Sequence, residues 1–165
     1  MSVRLSGAEP VPAPARVDVT FTRLLDAPRT LVFKLWTDPV HMARWWGPHG
    51  FTNPVCELDV RPGGAIRIDM RAPDGTVHPM TGQFREVTPP ERLVFVAVAR
   101  DQKGLALLEC TTTVTFEDEG GRTRLTVAAD GVGLTAIGGQ MLGGMEQGWT
   151  QSLERLADLT TAAQR

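Results

Sequence analysis

The stretch GGQMLGGMEQGWTQSLERLADLTT, residues 138–161, decides how the rest of the chain must be arranged. It contains no proline, and Leu142, Met145, Trp149, Leu153, Leu156 and Thr160 recur at steps of three and four. That spacing predicts one long amphipathic helix with a single apolar stripe. Gln140, Gln147, Gln151, Glu154, Arg155 and Asp158 fall on the opposite side and suit solvent. Gly143, Gly144 and Gly148 each cost roughly 1 kcal/mol relative to alanine in a helix interior. Their concentration in the first half of the helix has two readings: close approach to another backbone, or room left beside the stripe.

An apolar stripe of this length needs a surface to cover, and the preceding residues supply one. Over residues 17–25, Val17, Val19 and Phe21 alternate with Asp18, Thr20 and Thr22, a strand pattern. Asp26-Ala27-Pro28 then carries a helix-start signal, and Val32, Leu35 and Trp36 give that helix an inner face. Asp38-Pro39 repeats the signal, opening a second short helix over 40–45 that must stop before Gly47-Pro48. From Asn53 on, the hydrophobic period is two. Runs led by Cys56, Ile66, Met80, Leu93, Leu108 and Leu125 are separated by Pro62-Gly63-Gly64, Pro73-Asp74-Gly75, Pro89-Pro90 and Gly120-Gly121. Residues 93–99 are apolar in both phases, as in a central strand covered on two sides. The expectation is an α+β fold in which seven antiparallel strands curl around the C-terminal helix, with two short helices between strands 1 and 2.

Composition narrows the class. A chain of 165 residues, 42% hydrophobic, can bury one core, so residues 17–165 are expected to form a single domain behind a loose leader over 1–16. The net charge of −2 has no basic run, which argues against a nucleic-acid partner. No segment approaches the roughly 18 apolar residues of a spanning helix, so membrane insertion is not expected. The N-terminus lacks the pattern of a secretory signal, and Cys56 and Cys110 are read as reduced thiols in a cytoplasmic protein.

The run Asp26-Ala27-Pro28-Arg29, Val32-Phe33, Trp36-Thr37-Asp38-Pro39, Arg44-Trp45-Trp46-Gly47-Pro48 resembles a known signature. So do Asp59-Val60-Arg61-Pro62-Gly63-Gly64, Pro73-Asp74-Gly75, Pro90-Glu91-Arg92-Leu93, and Gly148-Trp149 with Ser152-Leu153 and Leu156. These motifs, in this order, are similar to those of the START and birch-pollen-allergen (SRPBCC) superfamily, in its branch of activators of the heat-shock ATPase. The resemblance implies the helix-grip fold. It also implies a menu of roles: binding of hydrophobic ligands, cyclase or aromatase chemistry, or service as a co-chaperone in the stress response. The activators that name the branch carry an extra N-terminal chaperone-binding domain, and the short leader here does not match one. Relatives often pair, and an exposed edge strand invites pairing, so a homodimer is a further expectation.

The interior is expected to carry a concave apolar pocket. Trp36, Trp46, Met70, Met80, Phe84, Cys110, Met145, Trp149 and Leu153 are its candidate lining, and His78 and Thr112 are the polar groups that would orient a ligand. Ordinary core packing is the alternative for any one of them. The three histidines and two cysteines show no metal-ligand spacing, and no cofactor or metal is expected. An enzyme of the cyclase, dehydratase or lyase type would have to use His78 or Glu146 as proton carrier, because Glu57, Asp59, Asp69 and Glu109 share the outward phase. A bulky residue in place of Gly82 or Cys110 is expected to block the pocket without disturbing the fold.

Overall fold

The structure of the chain, a computed structural model, describes residues 15–163. Apart from its last two residues, the expected leader lies outside the described residues. The chain runs β1 (Arg16–Leu25), α1 (Arg29–Thr37), α2 (Pro39–Met42), β2 (Thr52–Leu58), β3 (Ala65–Arg71), β4 (Val77–Thr88), β5 (Arg92–Arg100), β6 (Ala106–Glu119) and β7 (Arg122–Gly133). It ends with α3 (Ala136–Met141), a 3₁₀ turn (Leu142–Gly144) and α4 (Met145–Ala163).

The seven strands make one open, curved antiparallel sheet in the order β1-β7-β6-β5-β4-β3-β2. The meander from β2 to β7 and the two short helices follow the sequence pattern. β1 closes the order by pairing along its whole length with β7, from Arg16 opposite Val132 to Leu25 opposite Thr123. β5 stands fourth of the seven. Its inward residues Leu93, Phe95 and Ala97 are buried, while the outward Val94 and Val98 are half-buried.

The terminal helix differs from the expected unbroken rod. It begins earlier, where the Thr135 hydroxyl accepts from the Gly138 N–H at 3.0 Å as an N-cap. It then tightens into the 3₁₀ turn at Leu142-Gly143-Gly144, the point of lowest helix propensity, before resuming as α4. The stripe keeps its phase: Leu142, Leu153, Leu156 and Thr160 are buried, and Met145 and Trp149 are half-buried.

The helical bracket is also shifted. α1 starts at Arg29 with Pro28 in the capping position and no side-chain cap. Asp38 behaves as its position suggests, accepting from the Val40 N–H at 2.9 Å, but α2 is a single turn that ends at Met42. Val32, Phe33, Leu35 and Trp36 point inward from α1. The Trp45 indole N–H donates to the Leu35 carbonyl at 2.8 Å and closes the bracket. No helix among the described residues is long and apolar enough to cross a membrane.

Candidate functional site

The strand register fixes how much side chain stands on the inner face of the sheet. Phe21, Val127, Val114 and Leu93 lie opposite one another across four strands and are all buried, a solid row. The next row inward is Val19, Ala129, Thr112, Phe95 and Phe84. Beyond it comes Gly131, Cys110, Ala97 and Gly82, a row of small residues, followed by Gly133, Leu108, Ala99 and Met80. Side-chain volume therefore falls over the first three rows and is least at Gly131, Cys110, Ala97 and Gly82. Close packing holds only where side chains meet.

The helix repeats the omission from above. An added Cβ at Gly143 or Gly144 would meet nothing within 4 Å, and at Gly148 only Pro48 Cγ at 3.9 Å. Gly138 does the opposite. A Cβ there would stand 1.7 Å from the Leu107 carbonyl oxygen, and at Gly133 one would stand 2.8 Å from the Gly139 backbone. Of the two readings of Gly143, Gly144 and Gly148, open room holds and close backbone approach does not; close approach occurs earlier, at Gly138.

Between the small-residue floor and the glycine-rich roof lies a cavity of about 390 Å³. Of the sequence candidates, Trp46, Met70, His78, Met80, Cys110, Thr112, Met145 and Trp149 line it. Trp36, Phe84 and Leu153 do not. Trp36 is fully buried behind Trp149, with near-parallel rings 6.2 Å apart, and Phe84 and Leu153 belong to the packed core. Phe51, Ala97, Ala99, Met141, Gly144, Gly148 and Ser152 are lining residues that periodicity did not single out. Met141 and Ser152 follow from extending the helical step either way from Met145 and Gly148. Phe51 lies in a loop, where no period operates.

Gly82 calls for a correction. A Cβ at Gly82 would stand 2.1 Å from the Val96 carbonyl oxygen, so a bulky residue there would force β4 away from β5 and could not leave the fold intact. Ala97 and Cys110, its neighbours in the row, are the positions where the cavity can be filled.

The polar groups of the lining are few. The Ser152 hydroxyl is committed: it accepts from the Gly47 N–H at 3.1 Å and donates to the Gly148 carbonyl at 3.0 Å. His78 is exposed at the lip beside Phe51. Burial pushes the Cys110 thiol above its ordinary pKa, against a weaker lowering by the Thr112 hydroxyl, and Cys56 is pushed up to about 11 by burial and then by Asp38 and Glu57. Both cysteines are free thiols, and neither is activated as a nucleophile. The lining includes no carboxylate, and Glu146 is exposed outside it. Among the described residues no group of His, Cys, Asp and Glu could hold a metal ion.

One wall is a loop that sequence patterning left unexplained. Residues 44–49 carry Trp46 and Gly47 to the cavity, and α4 holds them there. The Arg155 guanidinium donates to the carbonyls of Trp46, Gly47 and Pro48 at 3.2, 2.9 and 3.1 Å, and to that of Arg44 at 3.0 Å. Gln151 Oε1 accepts from the His49 N–H at 3.0 Å, and His49 Nε2 lies 3.2 Å from Glu154 Oε1. The helical period puts Arg155, Gln151 and Glu154 on the solvent side, but they form the seam between the helix and the loop. Trp46 and Trp149 meet edge-on at 5.5 Å across that seam.

No curated protein matches the chain. Among solved structures, a protein of Nitrosomonas europaea is 26% identical with a TM-score of 0.73, over 89% of this chain and 96% of that one. A protein of Chromobacterium violaceum is 28% identical with a TM-score of 0.69, over 87% and 96%. The AHSA1 protein of Silicibacter pomeroyi, 23% identical with a TM-score of 0.72 over 89% and 99%, shares the fold. The profile of one family, described as "Activator of Hsp90 ATPase homolog 1-like protein", matches residues 26–161, nearly all of the described chain. The chain belongs to that family.

Proposed function

We propose that this chain is a cytoplasmic binding module that holds one small apolar molecule, aromatic in at least part, between its sheet and its C-terminal helix. The carrying observation is the cavity of about 390 Å³ over a stretch of sheet that includes Ala97, Ala99 and Cys110. That volume falls in the range of small-molecule sites, and its lining is mainly apolar with a few polar groups, as such sites are built. The methionines on both sides can adapt to an irregular ligand, and the Trp46 and Trp149 rings offer it flat or edge contacts. The two free thiols suit a reducing compartment.

Two of the four tryptophans line the cavity, so a ligand is expected to change the intrinsic fluorescence and raise the melting temperature by mass action. Ala97→Leu puts a larger side chain on the floor. It is expected to weaken binding by about tenfold to a hundredfold while leaving the melting temperature of the free protein within a few degrees. A screen of lipophilic and polycyclic compounds that changed neither fluorescence nor melting temperature would count against the proposal, as would full affinity in Ala97→Leu.

A further inference from the structure

We infer that the bound molecule is uncharged and carries one hydroxyl or carbonyl oxygen, which meets the hydroxyl of Thr112. This rests on the binding reading above and specifies its ligand. Thr112 stands in the row between Phe95 and Ala129, is 1% exposed, and lines the cavity. Its hydroxyl can donate one hydrogen bond and accept two. Among the described residues its hydrogen-bond partner is the Cys110 sulfur at 3.7 Å, a weak one. A buried hydroxyl left in that state is unfavourable, and a ligand oxygen beside it restores the missing bond. Ser152, the other buried polar group of the lining, has its only donor committed to Gly148 and one acceptor site to Gly47, so it has no proton left to give a ligand oxygen.

Charge complementarity sets the second half of the inference. The lining holds no lysine, arginine or carboxylate, and its only basic side chain is His78, at the exposed lip. Arg155 runs behind the wall with its guanidinium already distributed over four carbonyls. A carboxylate or ammonium carried to Thr112 would be desolvated without a counter-charge. A neutral oxygen is not so penalised.

Naphthalene, 2-naphthol and 2-naphthoate, compared by equilibrium dialysis at pH 7, separate the two halves. 2-Naphthol is expected to bind about fivefold tighter than naphthalene, as one hydrogen bond supplies, and 2-naphthoate at least about tenfold weaker than 2-naphthol. Thr112→Val keeps the shape and removes the hydroxyl. It should bring 2-naphthol down to the affinity of naphthalene while leaving naphthalene itself unchanged, and Thr112→Ser should keep the preference. Naphthalene binding with no preference for 2-naphthol, a preference that survives in Thr112→Val, or 2-naphthoate binding as tightly as 2-naphthol would each overturn this inference and leave the binding reading standing. If none of the three binds, the binding reading falls and takes this one with it.

Discussion

Gly138→Ala is expected to destabilise the chain by about 3 kcal/mol or more, although the same change favours helix in isolation by about 1 kcal/mol. The sign is decided by one contact. The new Cβ would stand 1.7 Å from the Leu107 carbonyl oxygen and 2.6 Å from its carbon. That carbonyl cannot turn aside freely, because it accepts from the Leu134 N–H at 2.9 Å, the bond that leads β7 into α3. Either the helix start lifts off β6 or that bond breaks. The control is Gly143→Ala, one turn on, where a Cβ meets nothing within 4 Å. It should stabilise by about 0.5–1 kcal/mol through the unfolded chain's lost freedom. Midpoints of denaturant unfolding at unchanged slope measure both. Equal effects of the two substitutions would mean that α3 does not sit on β6 as described.

Arg155→Met is the second large effect, a loss of about 3 kcal/mol and a fall in melting temperature of about 6–12 °C. The guanidinium spans four carbonyls between Arg44 and Pro48, and burial holds its pKa below the ordinary arginine value because no carboxylate compensates. Methionine keeps much of the apolar stem and removes all four bonds; the part-buried Gly47 carbonyl loses its donor, while those of Trp46 and Pro48 keep the Asn53 amide and the Phe51 N–H. Lysine should restore little, since a single ammonium cannot reach four acceptors arranged for a planar fork. The loop itself should show the change. Amide exchange at Gly47 and His49, whose N–H groups are held by Ser152 and Gln151, is expected to accelerate in Arg155→Met while the β6 and β7 amides stay protected. Unchanged exchange at those two amides would remove Arg155 from the role of clip.

The fold was largely legible because it depends on periodicity. Alternation from Cys56 to Val127 and the three-and-four spacing from Leu142 to Thr160 each survive as a buried face in the structure. What periodicity cannot supply is volume. The inward phase of β4 to β7 is legible in the alternation, but the hollow lies over small cross-strand neighbours, Ala97 beside Cys110 with Ala99 in the next row, and a row becomes visible only once the register is known. Phe84 and Leu153 share a phase with lining residues and still lie in the packed core, for the same reason. The helical period alone puts Arg155 with solvent, because it carries no information on a loop more than a hundred residues away. The break of the terminal helix at Gly143-Gly144 had a local signal in the paired glycines, and the apolar stripe running through it masked that signal.

The central claim is that the cavity between floor and roof receives an apolar molecule, and the methionine methyl groups report on it directly. Met70, Met80, Met141 and Met145 line the cavity, whereas Met42 is buried in the core away from it. In protein labelled at the methionine methyl carbons and titrated with naphthalene, the four lining signals are expected to move together with one dissociation constant while Met42 stays in place. Motion of Met42 equal to theirs, or no motion of the four at the solubility limit of naphthalene, would contradict it.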